Sequence, residues 1–186
     1  MKRLTLLALS GSLRAGSSNT MLLRAIARLA PPNVTFTFYD GLGGLPHYDP
    51  DLEDAAIPGV VEWRMLIKSV DGILICSPEY ARGVPGSLKN ALDWLVGGIE
   101  IVGKPVALIN ASPHSTHAHA SLMVILETMS ARVIPEASIT VALRGSKLSA
   151  AEIAIDPRFA GRLRAALDVI VHQIGSPRHS IDDRSP

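Results

Sequence analysis

The sequence predicts an open, doubly wound α/β sheet of five parallel strands with helices on both faces. Three observations carry that prediction. Apolar runs of strand length alternate along the chain with segments of helical periodicity, the pattern of repeated βαβ units. The first run, Leu4–Leu9, is continuously apolar rather than alternating, as in a strand covered on both faces. Residues of unusual chemistry fall after the first, third and fourth strands, and an open parallel sheet binds its ligands beyond strand carboxyl ends.

The elements follow in order. After Leu4–Leu9, Asn19–Ala30 has helical spacing and stops before Pro31-Pro32. Val34–Tyr39 is the second strand. Asp40–Gly59, rich in Gly, Pro and Asp, is a long loop, and Val60–Ser69 is a helix with Trp63, Leu66 and Ile67 on one face. Asp71–Cys76 contains the third strand. Pro85–Val96 is helical, with Pro85 at a first helical position, where its missing N–H costs nothing. Lys104–Asn110 is the fourth strand and His117–Ala131 the next helix. Arg132–Val141 is a weaker fifth strand interrupted by Pro135. A short helix starts over Ala150–Glu152, and Phe159–Ile174 is the last helix. Right-handed crossovers then wind the strands into one sheet.

A chain of 186 residues reads as one domain, 1–174, followed by a polar, proline-flanked loose tail, 175–186. A domain of this size buries about 70% of the surface its unfolded chain exposes, so it needs no disulfide or metal staple. The net charge of +1 gives neither the clustered basic face of a nucleic-acid binder nor the acidic surface of a protein that docks on basic partners. One cysteine, Cys76, excludes an internal disulfide and suits a reducing cytoplasmic compartment. The run Leu4–Leu9 is too short for a signal-peptide core, and no run approaches the roughly 18–20 apolar residues of a membrane helix.

The loop after the first strand, Ser10-Gly11-Ser12-Leu13-Arg14-Ala15-Gly16-Ser17-Ser18-Asn19, is built for an anion. Serine hydroxyls and an asparagine amide donate to phosphate oxygens, and Arg14 adds a charged fork. The following helix aims free N–H groups and its positive dipole end at the same place. The loop lacks the Lys of a Walker A motif and the spacing of G-x-G-x-x-G. A phosphate held by three or four charge-assisted bonds gains roughly 5–10 kcal/mol, at about 1.5–3 kcal/mol each. The loop after the third strand, Ser77 to Trp94, is stiffened by Pro78 and Pro85 and bared by Gly83 and Gly86. Such a segment can lie flat against a planar heterocycle and present main-chain groups to its edge.

These two loops resemble the NADPH-dependent FMN reductase family, which includes quinone and chromate reductases. The family's GSLRxGSxN pattern is matched by Gly11 to Asn19, and SPEYxxGxPGxLKNAxDW from Ser77 to Trp94. Leu45-Pro46-His47-Tyr48-Asp49-Pro50-Asp51 is similar to the family's loop after the second strand. The resemblance implies a flavodoxin-like sheet in the order 2-1-3-4-5. It implies FMN phosphate contacts from Ser10, Ser12, Arg14, Ser17, Ser18 and Asn19. It implies isoalloxazine contacts from Pro78, Glu79, Tyr80, Ala81 and Gly83. Tyr80 either flanks the ring or packs near a subunit contact. Glu79 reads as a loop-fixing acceptor rather than a proton donor. Arg82 either attracts the anionic nicotinamide cofactor or acceptor, or is a solvated surface arginine.

The loop after the fourth strand departs from the family, placing histidines where relatives carry glycines. Ser112, Pro113 and His114 are still expected near the flavin. His114, His117 and His119 have no cysteine nearby and do not form a clean zinc ligand set; they read as solvated or helix-start residues, and the alternative is that one of them tunes proton delivery. Cys76 reads as a small packed residue. Asp40, at the end of the second strand, invites a ribose-binding reading that the missing glycine fingerprint opposes.

The resemblance implies hydride transfer from NAD(P)H through bound FMN to a quinone, free flavin, azo compound or chromate, with ping-pong kinetics and no protein acid or nucleophile. It also implies a homodimer or homotetramer, for which the Lys89–Val96 helix and the Asp40–Gly59 loop are the interface expected here. The rival reading is a non-enzymatic electron carrier of the flavodoxin type. Such carriers tend to be strongly acidic, and this chain is not.

Overall fold

The computed structural model describes residues 2–143 and 148–175. The central sheet is parallel. Its strands are β1 (Leu4–Ser10), β2 (Val34–Phe38), β3 (Gly72–Cys76), β4 (Pro105–Asn110) and β5 (Arg132–Val133), in the order β2-β1-β3-β4-β5. The chain reverses direction across the sheet between β1 and β3, which puts a topological switch point at their carboxyl ends.

Burial explains the continuous apolar runs. All five residues of β3 and all six of β4 are buried. Alternate residues of β1 feed two cores: Leu6 and Ala8 pack with Leu22, Leu23, Ile26, Leu163, Leu167 and Ile170, whereas Leu7 and Leu9 pack with Trp63, Ile67, Leu88, Leu92 and Leu122. Helices α1 (Ser18–Arg28), α5 (Ala150–Ile155) and α6 (Ala160–Gly175) therefore cover one face. Helices α2 (Pro58–Ser69), α3 (Gly86–Asp93) and α4 (Thr116–Thr128) cover the other. Among the described residues, no helix is long and apolar enough to cross a membrane.

The sheet differs from the expected five strands at its edge. The segment Arg132–Val141 is two short strands, β5 and β6 (Ile139–Thr140), separated by a 3-10 turn over Pro135–Ala137. Both pair with β4. Pro135 has no N–H to give the ladder, and the chain bulges there. The hydroxyl of Ser138 fills the gap: it accepts from the buried N–H of Leu108 at 3.0 Å and donates to the carbonyl of Ile134 at 2.8 Å. Helix α3 is also shorter than Pro85–Val96. Pro85 precedes the first helical residue as the cap, and Trp94 closes the helix. The expected 3-residue helix start at Ala150 extends to Ile155 and carries a complete capping box, Ser149 with Glu152. In the expected tail, Gly175 closes α6 and residues 176–186 lie outside the described residues.

Replacing Ser138 by Ala leaves the Leu108 N–H buried without an acceptor. We expect S138A to lower the free energy of unfolding by about 1–3 kcal/mol, read from urea denaturation, with secondary structure content unchanged.

Candidate functional site

Three loops meet at the carboxyl ends of β1, β3 and β4. The first, Gly11–Ser17, is shaped by its own hydroxyls. Ser10 Oγ accepts from Thr20 Oγ1 at 2.9 Å and from the Ser12 N–H at 3.4 Å. Ser12 Oγ accepts from the Arg14 N–H at 3.3 Å. Ser17 caps α1 by accepting from the Asn19 N–H at 3.2 Å. Ser10 and Ser12 are half-buried, Ser18 is exposed in the first turn of α1, and the guanidinium of Arg14 is exposed. Hydroxyls, a cationic fork and a helix N-terminus therefore face one place, which is the donor set of a phosphate cradle.

Asn19 is placed differently from its neighbours. It is buried, its Nδ2 donates to Ser17 Oγ at 3.3 Å, and its Oδ1 accepts from Cys76 Sγ at 3.2 Å. Its side chain joins the first turn of α1 to the end of β3. Burial pushes the Cys76 thiol well above its ordinary range, with a hydrogen bond involving the Ala111 backbone acting in the opposite sense. Cys76 is thus a packed thiol held in its protonated form.

The first loop is also pressed against the second. The Gly11 N–H donates to the Cys76 carbonyl at 2.9 Å. A Cβ on Gly11 would stand 2.5 Å from Ser77 Oγ and 3.0 Å from Leu88 Cδ2. Only glycine fits there.

The second loop, Ser77–Pro85, is a narrow backbone hairpin. Tyr80 N donates to Gly83 O at 3.1 Å and Gly83 N donates to Tyr80 O at 2.9 Å. The two residues between them, Ala81 and Arg82, both have positive φ, at 48° and 60°. That turn normally calls for Asn-Gly or Gly-Gly. Two side-chain-bearing residues in the left-handed region store strain of about 1–3 kcal/mol each, a feature that clusters at ligand clamps. Pro78 and Glu79 are half-buried, Ala81 and Arg82 are exposed, and the Tyr80 ring is 57% exposed. Glu79 fixes the loop from below. Its Oε2 accepts from the Ala118 N–H at 2.9 Å, in the first turn of α4, a helix whose own cap residue Ser115 makes no side-chain cap bond.

The third loop, Ala111–Ser115, is folded by Asn110, whose Oδ1 accepts from the Ser112 N–H at 2.9 Å and whose Nδ2 donates to the Ser115 carbonyl at 3.3 Å. Ser112 is half-buried, while Pro113 and His114 are exposed. His119 is half-buried behind this loop, beside Ser77, Asn110 and Ser115. Among the described residues, no group of three or more His, Cys, Asp or Glu side chains comes together for a metal ion.

The remaining motif residues hold a neighbouring loop. Asn90 and Trp94 both donate to the Pro46 carbonyl, at 2.9 and 2.8 Å, and Asn90 Oδ1 accepts from the Tyr48 N–H at 2.7 Å. Tyr48 packs edge-on against Trp94. The long helix motif therefore acts as a clamp on Leu45–Tyr48. Thr20, Asn110 and the Asn19–Cys76 contact are functional supports that sequence spacing does not reveal, because each depends on contacts between distant segments or on where a hydroxyl points.

The family model described as NADPH-dependent FMN reductase matches residues 4–144. The chain belongs to the NADPH-dependent FMN reductase family. The family's description joins FMN with NADPH. A 2-hydroxy-1,4-benzoquinone reductase from a Burkholderia species is 46% identical over 106 residues, 55% of this chain and 57% of that protein. A quinone reductase of Escherichia coli K12 is 36% identical over 115 residues, 60% of this chain and 61% of that protein. The chain thus matches less than two thirds of either relative's length. The solved structure of FerB, a flavoenzyme NAD(P)H:(acceptor) oxidoreductase from Paracoccus denitrificans, superposes with a TM-score of 0.74 at 29% identity, covering 92% of this chain and 97% of that one. The switch-point loops of this reductase-family chain fit FMN: an anion cradle at β1, a strained backbone hairpin at β3, and glycine at the one place where the two must touch.

Burial holds the His119 imidazole below its ordinary range. The unfolded chain, with His near about 6.5, then binds the proton more readily, so stability falls as pH drops through that value. We expect urea midpoints measured from about pH 7 down to pH 5 to decline, and the decline to be shallower in H119Q.

Proposed function

We propose that this chain is an FMN-dependent oxidoreductase that carries hydride from NAD(P)H to a small acceptor, a quinone first among them. The observation that carries the reading is the locked pair of loops: a hydroxyl- and arginine-lined helix N-terminus tied, through Gly11 and Asn19, to a strained backbone hairpin. The family's name supplies the cofactor and the donor, and the relatives named quinone reductases supply the acceptor class. When bound, FMN supplies a ring that accepts hydride from a nicotinamide and returns it to a second substrate.

The chain's own residues then have distinct tasks. Ser10, Ser12, Arg14 and Ser18 hold the phosphate, and Ser17 and Asn19 set the loop that presents them. Pro78, Tyr80, Ala81 and Gly83 support the ring, with Glu79 fixing their loop to α4. Ser112 and Pro113 close the opposite edge, and Arg82 and His114 face the incoming substrates. No side chain is required to move a proton. The acceptor enters the space the nicotinamide leaves, which dictates ping-pong kinetics. Oligomer assembly is part of the same reading: the α3 region and the segment after β2 are expected to meet a second copy. A cytoplasmic location agrees with the single buried thiol.

The test is NAD(P)H oxidation by FMN-reconstituted protein with 1,4-benzoquinone. We expect parallel double-reciprocal lines, and a loss of FMN affinity of about tenfold to hundredfold in R14Q, the worth of one charge-assisted bond. No oxidation of either nicotinamide by FMN-loaded protein would refute the enzyme reading.

A further inference from the structure

Behind the β3 and β4 loops lies a cavity of about 10 Å³, the room that one water needs when polar groups surround it. Its polar wall is Ser77, Asn110, Ser115 and His119, and the rest is aliphatic. Ser77, Asn110 and Ser115 are buried and His119 is half-buried. Each of the three buried groups stands where a loop begins or ends. Ser77 starts the β3 loop beside Gly11, Asn110 ends β4, and Ser115 precedes α4.

These groups keep hydrogen-bonding capacity to spare. Ser77 Oγ donates to the Pro78 carbonyl at 3.0 Å, which leaves its lone pairs. Asn110 Nδ2 has a second N–H beyond the one given to the Ser115 carbonyl. The Ser115 hydroxyl makes no cap bond. Among the described residues, the His119 ring makes no side-chain hydrogen bond. A neutral imidazole offers one donor and one acceptor, so a single water there meets partners from the β3 loop, the end of β4 and α4.

Charge is poorly served in the same place. The titratable groups on the adjoining segments are Cys76 on β3, Glu79, Tyr80 and Arg82 on the β3 loop, His114 on the β4 loop, and His117 and Glu127 on α4. Tyr80, Arg82, His114, His117 and Glu127 are exposed. The Cys76 thiol stays protonated, and Glu79 Oε2 is held by the Ala118 N–H at 2.9 Å. A proton on His119 therefore meets no carboxylate in the cavity wall, and burial favours the neutral ring.

We propose that His119 is a positioning residue for FMN: its neutral ring, through one water, ties Ser77 to Asn110 and Ser115, and protonation opens that tie. The inference rests on the flavin reading, which sets the ring against the β3 loop and against Ser112 and Pro113 of the β4 loop. The tie joins the feet of both loops, so it fixes their spacing. An imidazolium has donors only and is costly among aliphatic side chains. Acid therefore weakens FMN binding, and by linkage bound FMN holds the proton off His119.

The experiment reads both sides of that linkage. FMN affinity of the flavin-free protein is measured by flavin fluorescence from about pH 8 to pH 5 in the unsubstituted protein, H119Q and H119L, and the His119 Cε1–H resonance is followed by NMR with and without FMN. We expect acid to weaken binding at least about fivefold more in the unsubstituted protein than in H119Q, whose amide donates and accepts without titrating. Near pH 8, H119Q should match the unsubstituted protein within about twofold, and H119L should bind about fivefold more weakly. The His119 resonance should titrate at lower pH once FMN is bound. Parallel pH profiles in the unsubstituted protein and H119Q, equal affinities of H119Q and H119L, or a His119 titration indifferent to FMN would overturn the assignment. Protein that takes up no FMN at any pH would defeat the flavin reading instead. The tie itself then stands if the Ser77 and Ser115 amide signals move with the His119 titration and stay still in H119Q, and falls otherwise.

Discussion

The close approach of Gly11 to the end of β3 is the constraint on which the rest of this site depends. The Gly11 N–H reaches the Cys76 carbonyl at 2.9 Å, and no side chain can stand between Gly11 and Ser77. Asn19 repeats the tie from the first turn of α1, through the buried Cys76 thiol. The β1 loop and the β3 loop are therefore one rigid object rather than two loops that happen to be near. A cofactor with a phosphate at one end and a flat ring at the other needs that fixed relation, because each misaligned contact loses the benefit of being pre-placed.

Rigidity on one side is matched by tethering on the other. The β3 hairpin carries strain at Ala81 and Arg82, and strain persists only where the surroundings over-determine the backbone. Glu79 supplies part of that restraint by capping α4 from outside the helix, and the cross-strand pair Tyr80–Gly83 supplies the rest. A helix without a side-chain cap of its own and a loop without regular structure thus stabilise each other.

Much of the fold was legible because burial on both faces leaves a plain signature. Leu4–Leu9, the GILIC run and Lys104–Asn110 lack polar alternation since helices cover both sides. Pro135 announced an interruption, but not that Ser138 would donate and accept in place of a ladder residue; that depends on where one hydroxyl points across to Leu108. In the site, the hydroxyl-rich loop and the Pro- and Gly-rich loop were visible as composition. The inward turn of Asn19 was not, because its partner Cys76 is distant in sequence and neither residue advertises the pair. Asn90 and Trp94 were legible as motif residues, yet their clamp on Pro46 appears only in three dimensions.

The central claim is that the β1 loop grips a phosphate and the β3 hairpin supports the ring attached to it. Comparing the affinities of the flavin-free protein for FMN and for riboflavin, which shares the ring and lacks the phosphate, tests that claim most directly. The account predicts FMN to bind at least about a hundredfold more tightly, the equivalent of two or more charge-assisted bonds. Equal affinity for the two flavins would contradict it.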